Sequence, residues 1–279
     1  MDELYSLQRC QLNILWEVDR VCTKHKIPYF LAYGTCLGAV RHQGFIPWDD
    51  DIDICMLEED LERFKEYAKE LKPPYFLQCQ ETDSEYGLLI ARVRDSSTTL
   101  IEHTEVTRNI NHGVFIDIYP LFPSYSSVAK ARKKIFCSFV FRLLLYGKAP
   151  FHHGVLLKFI AEGLLRLIPS NAKKTLMKKT YDVMRQKVGT DCYSILYGGD
   201  EKVAYANDML FPTRNLFFEG RTMPVPRQAE KYLQISYGNY MQLPPKDKQK
   251  VHHDYEFVDL NNSYLQYKGI HYCKGLCNG

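Results

Sequence analysis

Pro47-Trp48-Asp49-Asp50-Asp51-Ile52-Asp53-Ile54 crowds four carboxylates into five positions and ends in an acidic–apolar alternation. Successive strand residues point to opposite faces. Asp51 and Asp53 therefore share one face, while Ile52 and Ile54 point into the core. If the chain is already extended at Asp49, that residue joins the same row. Carboxylates so close repel one another. A solvated acidic loop is the plainest account of an Asp run. The Asp-Ile-Asp-Ile alternation favours instead a row neutralised by a hard divalent cation, Mg²⁺ or Mn²⁺, which takes oxygen ligands.

Working outward, residues 3–24 carry Leu4, Leu7, Ile14, Val18 and Val21 at helical spacing. Pro28 ends that helix, and an apolar strand over 29–33 runs into Gly34-Thr35. Thr35 is placed to cap a short helix through position 40. A Gly-Thr where a strand opens into a helix offers N–H groups and a hydroxyl to a phosphate. Downstream, a strand over 51–56 is followed by a helix bearing Leu57, Leu61, Phe64, Ala68 and Leu71. Further strands are expected at 75–80, 88–94, 98–102 and 114–119. The last holds Asp117 inside Val114-Phe115-Ile116-Asp117-Ile118-Tyr119. A lone buried carboxylate must be paired or metal-bound. Either Asp117 meets Arg92 or Arg94, or it completes a site with Asp51 and Asp53; the acidic strand's need for a third carboxylate favours the second. Arg92 and Arg94 alternate on one strand, where they either reach a phosphate or form a solvated basic edge.

From residue 126 to about 187 the chain turns helical and basic. From 198 on it is loop-rich, with one helix expected over 227–236. The pattern predicts an α/β (α+β) fold: a mixed sheet with flanking helices and a helical insertion. The expected division is a catalytic core over 1–125, the insertion over 126–190, a part completing the site over 191–260, and a tail over 261–279.

The 279 residues are 46% hydrophobic and 25% charged, enough to bury a sizeable core. The net charge of +3 speaks against nucleic-acid binding as the main task. Nine cysteines, mostly in apolar patterns and without a secretory leader ahead of them, fit buried thiols in a reducing cytosol. No stretch reaches the ~18 uninterrupted apolar residues of a membrane span. The expected location is cytoplasmic, either free or peripheral on the inner face of the membrane.

The run from Gly34-Thr35-Cys36-Leu37-Gly38 through Gly44-Phe45-Ile46-Pro47-Trp48 to Asp53 resembles the signature of the LicD family within the nucleotidyltransferase superfamily, which includes fukutin-like enzymes. The likeness continues in Val93-Arg94-Asp95, Phe115-Ile116-Asp117-Ile118-Tyr119-Pro120-Leu121, Phe218-Glu219-Gly220, Tyr237-Gly238-Asn239-Tyr240 and His252-His253. It covers about residues 1–125 and 200–255. The resemblance implies a nucleotidyltransferase-like sheet. It also implies metal-dependent transfer of phosphocholine, or of ribitol phosphate, from a CDP-linked donor to a sugar hydroxyl. CDP-choline is the foremost donor; the acceptor would be a lipid-linked glycan precursor of the lipopolysaccharide or teichoic acid kind. Asp51, Asp53 and Asp117 would hold one or two metals and one of them would take the hydroxyl's proton. Beside them, Gly34, Thr35, Arg92, Arg94, Trp48, Asp49, Glu219 and His252 are candidates to line the substrate; Asp49 could equally support another Asp, Glu219 could equally close a turn, and a His pair near a chain end is more often surface. Family enzymes often carry Asp after the Pro-Leu that follows the third carboxylate; here Phe122 stands there.

Two other classes compete: a nucleotidyltransferase that makes the activated donor or modifies protein or RNA, and an inactive membrane-associated binding protein. The intact carboxylates disfavour the second. Basic, apolar helices after Ser126 suit an anionic membrane face, or else a helical subdomain with solvated lysines. Cys273-x-x-x-Cys277 beside His271 is a weak zinc pattern; a frayed tail is the simpler expectation.

Overall fold

A computed structural model describes residues 3–146, 168–189, 191–197, 200–251 and 253–274. It is an α+β chain in two compact units. The first comprises Met1–Tyr86, Ile90–Pro120 and Asp208–Gly279; the second comprises Gly87–Leu89 and Leu121–Asn207.

In the first unit, α1 (Glu3–His25) buries Leu7, Ile14, Leu15, Val18, Val21 and Cys22 along one stripe, as its periodicity predicts. It stops where Lys26 turns to φ 52° ahead of Pro28. A two-residue strand β1 (Phe30–Leu31) pairs antiparallel with β2 (Asp53–Leu57), and α2 (Tyr33–Arg41) lies between them in sequence. α3 (Glu58–Tyr67) buries Leu61 and Phe64. Then come β3 (Tyr75–Gln78), β4 (Ala91–Asp95), β5 (Thr99–Glu102) and β6 (Val114–Ser124). The sheet order is β1-β2-β6-β4-β3, so β6 lies between the acidic strand β2 and the arginine strand β4.

In the second unit, α4 (Val128–Tyr146) and α5 (Ser170–Arg185) pack Cys137, Phe141 and Met184 around Phe122 and Leu196. The end of β6 pairs antiparallel with β7 (Cys192–Ile195), and β7 with β8 (Tyr205–Ala206). Phe122, where the family often has an acid, is fully buried here. The Lys134 ammonium, also buried, donates to the carbonyls of Pro123, Met184 and Gln186. The apolar stretch 155–168 lies outside the described residues except Ile168.

At the return to the first unit, α6 (Asn207–Leu210) leads to the hairpin β9 (Arg214–Phe218) and β10 (Arg221–Val225), then α7 (Ala229–Tyr237) and β11 (Tyr255–Asp259), which pairs antiparallel with β5. The hairpin was not expected in a stretch read as loop. Nor is the described part of the tail frayed: Tyr272 and Cys273 are buried against Ile101, and His271 stacks on Phe257 at 3.8 Å. Cys277 lies outside the described residues. The eight described cysteines are free thiols, in line with the absence of a disulfide framework.

Candidate active site

β2 starts at Asp53, two residues later than expected, so Asp51 precedes the strand rather than standing in its row. The peptide N–H of Asp53 donates to Thr35 Oγ1 at 2.9 Å, and the Asp53 carbonyl accepts from Ala32 N at 2.9 Å. Thr35 therefore does not cap α2; its hydroxyl ties α2 to β2 from inside the helix, whose cap residue is Ala32. Gly34 serves a different need. A Cβ there would stand 2.8 Å from Asp49 Oδ2, so the missing side chain leaves room for a carboxylate. Tyr33, the first residue of α2, sits at φ 44°, an uncommon backbone state for a bulky residue. Its N–H reaches Tyr232 Oη at 3.3 Å and its ring meets Tyr119 edge-on.

The acidic residues converge. One carboxylate oxygen from each of Asp49, Asp50 and Asp51 can lie within 4.8 Å of the others. Asp53 feels Asp51, Asp117 and Asp49 as like charges; burial first, then these neighbours, raise its pKa well above the carboxylate range. Asp49 is pushed up to about 8, by burial first and then by Asp51 and Asp50. Asp53 Oδ1 is enclosed and has no hydrogen-bond partner. A buried carboxylate oxygen left unsatisfied among like charges is costly, and a hard divalent cation would relieve both problems. The donor set therefore fits Mg²⁺ or Mn²⁺.

Asp117 stands on β6 opposite Arg92 of β4, and the two are joined, Arg92 Nε to Asp117 Oδ1, at 2.7 Å. The pairing that the sequence left as an alternative thus exists, and Asp117 still reaches the acidic group electrostatically through Asp53. Burial outweighs the guanidinium and leaves the Asp117 carboxyl raised. Arg92 also donates to Glu102 and lies 3.7 Å over the Phe115 ring. It is a fixed brace for Asp117, with its N–H groups already engaged. Arg94 is a clear correction. It is 0% exposed and donates to Gln78, the Gly113 carbonyl and Glu105. It cannot meet a phosphate, and it is no solvated edge either.

Glu219 occupies the hairpin turn. Glu219 and Gly220 both have positive φ, 47° and 86°, as a tight two-residue hairpin turn requires. The Glu219 carboxylate accepts from Phe45 N at 3.1 Å, and its own N–H reaches the Gln43 carbonyl at 3.2 Å. Gly44 has no side chain to obstruct this: a Cβ there would lie 2.3 Å from Glu219 Oε1. Glu219 thus fixes the loop that leads into the acidic run, and no feature places it against a substrate. Trp48 is half-buried in the turn closed by Asp49 N to Ile46 O. His252 lies outside the described residues.

Sequence reasoning missed Asp50, His253 and Tyr255 as a unit. Asp50 is 1% exposed. Its carboxylate meets His253 Nδ1 at 3.0 Å and accepts from Tyr255 Oη at 2.9 Å. The hydrogen bond that His253 donates to the Asp50 carboxylate lifts the His253 pKa to about 9. From the other direction, α1 holds the same run: Gln8 and Gln11 donate to the Asp49 and Asp50 carbonyls, each at 2.8 Å. The available signal was position 50 itself, an Asp whose parity opposes that of its neighbours.

With this geometry in hand, residues 26–137 match the family model described as LicD/FKTN/FKRP, nucleotidyltransferase domain. The matched segment contains every carboxylate of the cluster. The chain is 28% identical over 267 residues, 87% of its length and 92% of the relative's, to "Lipopolysaccharide cholinephosphotransferase LicD" of Haemophilus influenzae. Shorter likenesses join it to uncharacterized proteins of Rickettsia typhi, 42% over 60 residues, and Rickettsia prowazekii, 49% over 48 residues. These two cover 22% and 17% of this chain, and 19% and 18% of the relatives.

Proposed function

Because the chain belongs to the LicD family, we propose that it transfers phosphocholine, or a related phospho-substituent, from a CDP-linked donor to a sugar hydroxyl of a cell-surface glycan precursor. One observation carries this reading: Asp51, Asp117 and Asp49 act on Asp53 as like charges, and an oxygen of Asp53 is buried without a partner. The name of the Haemophilus relative supports choline as the head group and a lipopolysaccharide precursor as the acceptor.

Asp51, Asp53 and Asp117 would hold Mg²⁺ or Mn²⁺. When bound, the cation would neutralise the donor pyrophosphate and favour the ionised acceptor hydroxyl. The rest falls to the chain. The N–H groups of Gly34 and Thr35, in the first turn of α2, form an anion-binding end for the donor phosphates. The acceptor oxygen attacks the phosphorus that carries choline; the bond from that phosphorus to the CMP oxygen breaks; CMP leaves, and a site carboxylate takes the hydroxyl proton. Arg92 keeps Asp117 in place, and Asp50 with His253 and Tyr255 keeps the acidic run in place. No described helix is long and apolar enough to cross a membrane.

The test is a donor screen with purified protein, a divalent cation and a glycan extract. CDP-choline, CDP-ribitol, CDP-glycerol and nucleoside triphosphates are offered in turn. CMP release from one CDP-linked donor, lost in Asp51→Ala/Asp53→Ala, is the expected result. Pyrophosphate release from a triphosphate would replace the proposal with donor synthesis. Silence with every donor and extract would overturn it.

A further inference from the structure

We infer that the outer face of α4 is a docking surface for an anionic lipid membrane. The helix is apolar on two opposite sides. Ala131, Lys134, Cys137, Ser138, Phe141 and Leu144 form its buried side. At 100° per residue, Arg132, Phe136, Phe139 and Leu143 fall together on the other side. There Phe136 is 65% exposed and Phe139 38%. Aromatic side chains aligned at helical spacing in solvent mark a contact surface rather than scattered exposure.

Charge selects the partner. α4 and α5 together carry ten Lys or Arg and one acid, Asp182. Their net +9 stands against +3 for the whole chain, which leaves −6 on everything else. Cationic residues are thus concentrated on the two described helices of the second unit, while acids outnumber them in the rest of the sequence. Lys130, Arg132 and Lys133 are exposed at the start of α4, and no ion pair involves them among the described residues. Arg132 lies within the aromatic stripe, Lys133 flanks it, and Lys130 stands at the helix start; this arrangement matches a headgroup layer over acyl chains, with the rings entering the interface and the cations meeting anionic lipid. A second copy of this chain would set these cations against one another. The inference deepens the proposed function by giving the enzyme a way to meet a lipid-linked acceptor, and it depends on that reading only for what the acceptor is.

The test is cosedimentation of the full chain with vesicles of phosphatidylcholine alone and of phosphatidylcholine mixed with phosphatidylglycerol. Binding to the mixed vesicles, weakened by salt, is expected. Phe136→Ser/Phe139→Ser should abolish it while leaving the thermal midpoint unchanged, and Lys130→Gln/Arg132→Gln/Lys133→Gln should weaken it by about fivefold per cation. Absence of binding, equal binding to neutral vesicles, or variants that bind like the wild type would each overturn the inference. So would sedimentation velocity showing a dimer that Phe136→Ser/Phe139→Ser dissociates. Asp51→Ala/Asp53→Ala should still bind vesicles, and Phe136→Ser/Phe139→Ser should still release CMP with a soluble glycan acceptor. Failure of the membrane surface and failure of the catalytic reading are thereby separable.

Discussion

Asp53 places a carboxyl group among three others with one oxygen unsatisfied, so ionising it in the free site is costly. Its raised pKa, and that of Asp49 near 8, mean that the folded site holds protons more tightly than the unfolded chain. Such groups stabilise the fold at low pH and lose that contribution as pH rises through the folded value. His253, raised to about 9, acts in the same direction. His112, lowered to about 4 by burial, opposes them only below its ordinary value of 6.5. Between pH 6.5 and 8, then, protein kept in chelator should lose on the order of 1 kcal/mol per pH unit for each proton so held. Thermal melts would read this as a midpoint falling by a few degrees. Added Mg²⁺ should flatten the curve, and Asp53→Asn should raise the midpoint in chelator while abolishing turnover; a flat curve in chelator would refute the crowding argument. Arg92 is the opposite case. Asp117, Glu102 and Glu105 all depend on it. Arg92→Met should cost about 3–5 kcal/mol in urea unfolding, since breaking a buried pair strands the remaining charge. Arg92→Lys should recover only part, because one ammonium cannot span the same acceptors.

At the scale of elements, the hairpin β9–β10 works through its turn. Glu219→Ala leaves Phe45 N–H without its acceptor and should lower stability by about 1 kcal/mol. It should lower kcat/KM more, since the loop it fixes leads straight into the acidic run, whereas Glu219→Gln retains a carbonyl acceptor and should stay near wild type. An alanine variant with unchanged kinetics would make the turn a mere connection. The hairpin also marks where sequence reading stopped. α1 and α3 were legible because their apolar stripes are strict, and β2 and β6 because apolar residues flank single acids. The hairpin alternates weakly, and Glu-Gly is a faint version of the usual turn pair. Prolines argue against a strand interior, yet β6 continues past Pro120 and Pro123 to Ser124 and pairs with β7. Arg94 misled for another reason: its acceptors at Gln78, Glu105 and Gly113 come from three separate segments, and nothing local announces them.

Over the whole molecule, the acidic run is assembled by distant parts of the chain. α1 holds its peptide carbonyls, the hairpin turn fixes its approach, and His253 and Tyr255 grip the buried Asp50 from about 200 residues away. Asp51, Asp53 and Asp117 stand out as candidates in the sequence because apolar residues flank them, but the grip on Asp50 is visible only after folding. It makes a prediction about coupling. Removing both partners, as His253→Ala/Tyr255→Phe, leaves a carboxylate buried without its charge-assisted bonds and should cost on the order of 3 kcal/mol. Asp50→Asn removes the charge that needs those bonds. In that background, the same double substitution should cost far less, because groups in direct contact do not add. Urea unfolding of all four proteins gives the coupling energy, and CMP release measured alongside shows whether the grip also positions Asp49 and Asp51. A coupling of at least ~1 kcal/mol, with turnover falling in both variants, would mean that the last strand shapes the site through Asp50. Strict additivity would mean that His253 and Tyr255 stabilise β11 alone, and that the run keeps its geometry from α1 and the hairpin turn.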